Sequence, residues 1–434
     1  MRFVRDLLVM QTGSFFSTGL AAVASIVYAR ILGVESYAAY ALIFAFVGLG
    51  GIFMNLGAVQ TVLTLMSEAF VKKDSEEIRY LGAYFILVGL ITLFGSGLIL
   101  MIIAPSITGW FYHRTDIGQL ARIILFANAV QISWNYYTIV LQVIRRIRQL
   151  TVIENVNSAL SFVLSLAAVF GGYGLGGVIW AYLIASVIFS LYAVWAYRRL
   201  ERQEPLLPSL RRMLVSWDRK KFTYYFKFGF LVAIDKNISG LYSALPIFII
   251  GRFSLSFVAY LKVATAFAQI PLMLIGPVSR LLMVQLPQSK AYSYFILKRD
   301  YVRSTIGSVL ICLVMSLPLF ILSGFLITLM YGRNFLPAVY LSWPMLFGTI
   351  ISAFSIGDGP IYRVLHIVKK AIYINVIVVI LGTIAIYSFV RYLPIDWSIY
   401  PIAAFLPAAS LASYGYALFR LNGNIQKEQS LKTA

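Results

Sequence analysis

The chain has little of what soluble enzymes rely on. Charged residues make up only 12% of its 434 residues, against about 25% in a soluble domain, and water would not dissolve such a surface. One cysteine, Cys312, lies inside an apolar run, which excludes an intrachain disulfide. The two histidines, His113 and His366, fall in different loops, which excludes a multi-histidine metal site. No G-x-x-x-x-G-K-S/T stretch occurs, so the chain has no phosphate loop with which to hydrolyse ATP. H-E-x-x-H, paired-cysteine and nucleophile-elbow patterns are missing as well. No catalytic residue, metal ligand or cofactor is nominated.

What the chain has is apolar length. Hydrophobic residues make up 60% of it and the mean hydropathy is +0.85. The first apolar stretch, Leu7 to Leu32, is too long for the core of a signal peptide and lacks a small-residue cleavage site, so it reads as a retained helix. Apolar runs separated by charged or Gly/Pro breaks fall at 9–32, 37–64, 80–103, 117–143, 151–170, 176–197, 226–250, 256–283, 304–329, 336–357, 371–390 and 398–419. Most are long enough to cross a bilayer at about 20 residues per span. In lipid each must close its backbone hydrogen bonds within a helix. The fold class is therefore all-α and polytopic, with about twelve transmembrane helices.

Charge fixes the expected orientation. The net charge of +20 would suit nucleic acid, but excess Lys and Arg in cytoplasmic loops accounts for it better, and no nucleic-acid partner is expected. Loops on the N-terminal side carry 27 Lys and Arg, nine of them between Arg198 and Lys227, and the opposite loops carry 4: Arg114, Arg252, Arg333 and Arg391. Both termini are expected in the cytoplasm and the chain in the cell (inner) membrane. The outer loops, each about 4 to 13 residues long, are too short to carry a catalytic domain, which speaks against an enzyme.

The two halves echo each other. Trp110-Phe-Tyr-His-Arg114 matches Leu329-Met-Tyr-Gly-Arg333, Gly57-Ala-Val59 matches Gly276-Pro-Val278, and Asn155 matches Asn375, at offsets of 219, 219 and 220. Six spans per repeat imply a parallel duplication about an axis along the membrane normal. The expected organisation is a first six-helix bundle (1–200), a cytoplasmic linker (201–225), a second bundle (226–420) and a cytoplasmic tail (421–434).

Polar groups at membrane depth are costly and usually face a cavity. Five basic residues lie there: Arg30, Arg122, Lys236, Lys262 and Arg280. Arg30 and Arg280 sit near helix ends, where snorkelling to headgroups and a place in the lumen are both open. Arg122 lies about 9 Å into its helix, with the same two readings. The acids at depth are mainly Glu154, read as starting the fifth helix, and Asp235, open as an ion-pair partner or a coupling site. Gln11, Ser14, Thr18 and Ser25 form one stripe on the first helix, and Gln269 lies near the middle of the eighth. Asn128, Gln131, Asn135 and Gln142 on the fourth helix, and Asn157, Ser158, Ser161 and Ser165 on the fifth, read first as interhelical hydrogen-bond glue. Gly48, Gly50, Gly51 and Gly57, with Pro271, Gly276 and Pro277, weaken or bend the second and eighth spans.

The turn Ala29-Arg-Ile-Leu-Gly33, followed by Glu35-Ser-Tyr and an aromatic second helix, together with the six-plus-six layout, resembles the polysaccharide repeat-unit flippases of the multidrug/oligosaccharidyl-lipid/polysaccharide exporter superfamily. The resemblance implies two pseudo-symmetric six-helix bundles around a central cavity that opens alternately to each side. It implies a substrate built of an oligosaccharide on an isoprenoid pyrophosphate. Arg30, Arg122, Lys236, Lys262 and Arg280 would then form a cationic lumen, with Asp235 as coupling or ion-pair residue and Gln11, Ser14, Thr18 and Gln269 as polar lining. Expected partners are that glycolipid, membrane lipids, and glycan polymerase or glycosyltransferases of the same pathway, around a monomer. A cation-coupled drug or metabolite antiporter of the same superfamily is the alternative, disfavoured by the scarcity of deep carboxylates.

Overall fold

The structure, a computed structural model, describes residues 2–54, 56–216 and 218–433. The side chains of residues 2–8, 53, 214, 215, 231, 232, 235, 236, 239, 277, 280, 284 and 431–433 lie outside the description. The described residues are 92% helical and contain no strand. They fall into two compact units, Met1–Gly240 and Leu241–Ala434.

In the first unit α1 runs over Arg2–Met54, α2 over Ala58–Val71 and α3 over Ser75–Thr92. A π-helical turn, Leu93–Gly97, carries α3 into α4 (Leu98–Tyr112). The helices α5 (Thr115–Val130), α6 (Ile132–Val143), α7 (Ile147–Phe170), α8 (Gly174–Gln203), α9 (Leu210–Val215) and α10 (Arg219–Gly251) follow, with the last eleven residues of α10 belonging to the second unit. That unit continues with α11 (Leu255–Ala268), α12 (Ile270–Tyr292), α13 (Tyr294–Tyr331), α14 (Pro337–Ser352), α15 (Asp358–Val364), α16 (Val368–Tyr392) and α17 (Ile399–Thr433).

Helix α1 is two spans. Gly33 has φ 76° and ψ 177°, and the chain folds back there. The Ser25 and Tyr37 hydroxyls hydrogen-bond at 2.6 Å, and the Tyr28 and Tyr40 rings lie 5.4 Å apart. Twelve residues of straight helix would separate each pair by about 18 Å. Eight continuous helical stretches among the described residues, α3–α4 and α14–α15 each counted as one, are long and apolar enough to cross a membrane, and the bent pair α11–α12 adds a ninth. Counting α1 as a hairpin, α5–α6 as one broken span and α10 as another gives twelve passages among the described residues. The break between α11 and α12 sits where Pro271 has no N–H for the Phe267 carbonyl.

Large apolar side chains cover the outside of these helices as well as the inside. Phe94, Ile102, Leu191, Phe325 and Leu381 are exposed, while Leu42, Leu81, Tyr197 and Tyr301 are buried. A helix apolar all round suits lipid rather than water. Several helices outrun the bilayer. Thirty-eight-residue α13 is about 57 Å long, against about 30 Å of hydrocarbon. It starts at Tyr294, capped by the Ser293 hydroxyl, ten residues before the expected span, and those early turns hold Lys298, Arg299 and Arg303. Helix α7 likewise begins at Ile147, so Glu154 sits two turns inside it. This corrects the expectation that Glu154 starts the helix: buried Leu150 and Ile153 anchor the turns before it, although Arg148 and Gln149 had read as a break.

Two details of the internal repeat recur in the geometry of each unit. Helix α4 ends at Tyr112 with His113 at φ 57°, and α13 ends at Tyr331 with Gly332 at φ 95°. Both use a positive-φ residue to stop the helix before an arginine. The Asn155 Oδ1 on α7 accepts a hydrogen bond from the Ser17 hydroxyl of α1 at 2.9 Å. The Asn375 Oδ1 on α16 accepts one from the Tyr242 hydroxyl of α10 at 2.9 Å. In each unit the matched asparagine thus ties the fifth passage to the first.

Gly57 separates α1 from α2 at φ 78°. A Cβ there would lie 2.0 Å from the Gly229 carbonyl oxygen of α10, so the residue is constrained twice. Gly57→Ala is expected to lower the thermal unfolding midpoint of the purified protein, the backbone strain alone costing about 1–2 kcal/mol. Gly19→Ala, at a helical position with nothing within 4 Å, should leave it unchanged. Equal midpoints for the two variants would refute the crossing.

Candidate functional site

The turn that carries the resemblance is clamped. Glu35, just after Gly33, accepts from Arg114 Nη1 at 2.6 Å, and Asp116 takes Arg114 Nη2 at 2.6 Å and Nε at 3.1 Å. The guanidinium holds the Asp116 carboxyl below its usual range, chiefly through this hydrogen bond. The α1 hairpin is thereby fixed to the α4–α5 corner. At the other end of the unit, Glu77 binds Lys221 Nζ at 2.8 Å and the Tyr225 hydroxyl at 2.6 Å, and Arg146 pairs with Glu204 at 2.9 Å. Met213 of α9 is buried in a slot beside Gly82, its sulfur 3.2 Å from the Tyr136 hydroxyl. The charged segment between α8 and α10 is therefore folded onto the first unit.

The sequence-derived basic residues divide. Lys262 lies in the middle of α11, half-buried, and among the described residues forms no hydrogen bond or ion pair. Arg30 is exposed beside the Gly33 turn. Arg122 is exposed and otherwise engaged: Nε donates to the Met101 carbonyl at 2.5 Å and Nη2 to the Ile102 carbonyl at 2.9 Å. The cause is Pro105 inside α4, which has no N–H to give the carbonyl four residues earlier, Met101. Arg122 supplies the donor that lipid cannot. The side chains of Asp235, Lys236 and Arg280 lie outside the described residues.

Of the polar lining candidates, Ser14 and Gln269 are exposed and Gln11 and Thr18 half-buried. Gly13 and Ser17 form the face of α1 that meets α7: a Cβ on Gly13 would lie 2.2 Å from the Thr151 methyl. The stripe of Gln11, Ser14 and Thr18 lies about 100° round the helix from it. It is not used to hold α7.

A cavity of about 520 Å³ opens in the first unit between α1, α3, α5–α6 and α10. Its polar groups are Asn128, Asn135, Asn237 and Thr92, and Gly48, Gly51, Gly89 and Gly240 keep it wide. No charged residue is among its described lining. Asn128 Oδ1 accepts from the Tyr182 hydroxyl at 3.2 Å and Asn237 Nδ2 donates to the Ile52 carbonyl at 3.3 Å. The Asn135 side chain has no hydrogen-bond partner among the described residues. The fourth-helix stripe thus splits. Gln131 is glue, donating to Ser186 Oγ at 2.7 Å, while Asn128 and Asn135 face the cavity.

The second unit holds an acid the sequence reading missed. Asp358 opens α15, and its carboxylate accepts the Tyr301 hydroxyl at 3.1 Å. No basic residue pairs with it among the described residues. The expected span ended at 357 because Gly-Asp-Gly-Pro reads as a break, but a 3-10 stretch, Ala353–Gly357, carries the apolar segment through to Val364. Gly357 lets the Tyr301 ring approach; a Cβ would stand 2.7 Å from it. The expectation that deep acids are mainly Glu154 and Asp235 is corrected accordingly. Among the described residues no group of His, Cys, Asp or Glu could hold a metal ion.

The role of Arg122 is testable by a double-mutant cycle. Arg122→Ala should destabilise the protein by about 1.5–3 kcal/mol. In a Pro105→Ala background, where residue 105 regains its N–H, the same change should cost far less. Additive effects in thermal unfolding would refute the pairing.

Solved structures place the architecture. An inward-facing multidrug resistance MATE family transporter of the MOP superfamily superposes with TM-score 0.77 at 15% identity, over 97% of this chain and 99% of that one. A MATE protein in complex with MaL6 gives 0.68 at 16% identity, over 97% of each chain. A MOP superfamily transporter from Pyrococcus furiosus, whose binding pocket is described as of reverse polarity, gives 0.67 at 16%, over 96% and 95%. At these identities the likeness establishes the fold alone, the one these transporters share. Among curated proteins no sequence matches. The family model described as polysaccharide biosynthesis protein matches residues 3–283, and the chain belongs to that family.

Proposed function

We propose that this protein is a flippase that moves oligosaccharides linked to an isoprenoid pyrophosphate from the cytoplasmic to the outer leaflet by alternating access, for surface polysaccharide or glycan assembly. The family match and the MOP fold support transport in polysaccharide synthesis over catalysis. The observation that carries the finer reading is Lys262, a half-buried basic side chain at membrane depth with no carboxylate paired to it among the described residues. A basic group that finds no carboxylate among the described residues suits a passing pyrophosphate better than a cationic drug. Lys236, Arg30 and Arg280 extend the same attraction in this reading. Moving anionic charge outward from a cell negative inside is favourable by about 2.3 kcal/mol per charge per 100 mV, so ATP is not required.

Asp358 favours a second reading, cation-coupled antiport. A carboxylate at depth held by a tyrosine hydroxyl, with no basic partner among the described residues, is the kind of group that takes up a proton or Na⁺ between turnovers. Flipping of labelled glycolipid in sealed proteoliposomes separates the two. Rates that follow an imposed potential, and persist in Asp358→Asn, support the flippase without coupling; rates that follow only a proton or Na⁺ gradient, lost in Asp358→Asn, support coupling.

In cells lacking the protein, Lys262→Arg should restore glycan export. Lys262→Gln and Lys262→Ala should fall about tenfold or more at equal protein level, as expected for a lost charge-assisted contact. Equal export by the Gln and Arg variants would show that charge is not the operative property.

The orientation belongs to the same proposal: inner membrane, both termini in the cytoplasm, on the charge asymmetry of 27 to 4. Gln203, exposed at the end of α8, can be changed to Cys in a Cys312→Ser background. An impermeant maleimide should label it only after cells are opened. Labelling of intact cells would invert the topology.

A further inference from the structure

We propose that the cavity of the first unit is a receptor for an uncharged sugar unit of the translocated glycan, and that the protein discriminates its cargo there through carboxamides rather than charge. The proposal rests on the flippase reading and adds to it the substrate class that this cavity takes.

Three observations converge. First, the cavity of about 520 Å³ falls in the range of small-molecule sites, about 300–1,000 Å³. Second, its polar groups are neutral and two-sided. A carboxamide donates and accepts at once, as adjacent sugar hydroxyls or an acetamido group do. The Asn135 side chain is unengaged among the described residues, and the one bond shown for the Asn128 side chain, from Tyr182, uses its oxygen and leaves the amide donors. A carboxamide at membrane depth with no protein partner is costly unless water or a ligand completes it. An acyl chain cannot do so; a sugar can. Third, the remaining lining is apolar and small, with Phe85, Val88 and Ile132 beside glycines, which suits the C–H faces of a pyranose. A Cβ on Gly51 or Gly240 would meet nothing within 4 Å: the space in front of those residues is the cavity itself.

Charge argues for a neutral ring. No Lys, Arg, Asp or Glu is among the described lining residues. A uronate carboxylate brought in would lose hydration without gaining an ion pair from any of the described lining residues, so these residues give an acidic sugar no advantage over a neutral one.

The test uses purified full-length protein and three probes on one isoprenoid pyrophosphate: no sugar, a neutral trisaccharide, and a trisaccharide of the same length containing a uronic acid. Wild type should bind the neutral form about tenfold more tightly than the sugar-free lipid, the worth of two or so neutral hydrogen bonds, and no less tightly than the uronate form. Gly51→Leu, which fills the open space, and Asn135→Leu should each bring that ratio close to one while sugar-free binding persists. Asn135→Gln, which keeps the carboxamide, should recover part of it. Unfolding midpoints identify a variant that has failed to fold, and either substitution suffices. An unchanged ratio in both variants overturns the proposal, as does tighter binding of the uronate form. Equal weakening of all three probes by Gly51→Leu also overturns it, because the cavity would then hold the lipid chain. Export of glycan in cells is read separately. Sugar discrimination without export sinks the flippase reading and leaves the cavity assignment standing; export without discrimination does the reverse.

Discussion

Inside hydrocarbon a backbone carbonyl or amide has no water to turn to, and every departure from regular helix has to be answered within the protein. The rest of the structure depends on that constraint. It makes the described chain almost wholly helical, and it dictates how the breaks are made. Where Pro105 withholds a donor inside α4, the Arg122 guanidinium crosses from α5 to the Met101 carbonyl. Where the chain reverses at Gly33, Glu35 and Arg114 clamp the corner. Where α1 gives way to α2, Gly57 and Gly229 bring two backbones together. Each of these positions looks permissive in the sequence and is tightly determined in the fold.

The same solvent raises the significance of any polar group left without a partner. Most of those at depth are matched: Ser17 with Asn155, Tyr242 with Asn375, Gln131 with Ser186. Others are not: among the described residues the buried Gln60 Oε1, Thr305 Oγ1, Ser316 Oγ and Thr383 Oγ1 find no hydrogen-bond partner, and three more polar groups differ in kind. Among the described residues Lys262 has no carboxylate partner, Asp358 has a tyrosine hydroxyl and no basic one, and Asn135 is a carboxamide lining the cavity. Anion attraction, ion binding and sugar recognition are three separate chemistries, and a carrier of an amphiphilic glycolipid has use for the first and the last.

Arginine illustrates why residue type alone does not assign a role. Arg30, Arg114 and Arg122 all lie toward the same corner of the first unit, and each could be taken as lining for an anion. Arg114 is spent on two carboxylates and Arg122 on two carbonyls. Both are the means by which neighbouring helices hold a turn or a kink. A count of basic residues at membrane depth therefore overstates the charge available to a substrate.

The sequence by itself determined the membrane class, the number of passages, the repeat and the family resemblance. These follow from apolar run length, from the side on which Lys and Arg fall, and from motifs at a constant offset, all of which are local or additive along the chain. Helix limits were legible only where an apolar edge coincided with a cap. Charged turns at the start of α13 and the Gly-Asp-Gly-Pro stretch before α15 hid real helix, because hydropathy marks the edge of hydrocarbon and not the end of a helix. For the site, the sequence singled out Lys262, the asparagines of the fourth helix and the glycines of the second. Only the tertiary structure decided that Asn128 and Asn135 meet Gly51 around one cavity while Gln131 is consumed by Ser186, and that Arg122 belongs to Pro105. The physical reason is that a hydrogen-bonding group is available to a ligand only if no neighbour has taken it. Those neighbours stand some 20 to 185 residues away along the chain.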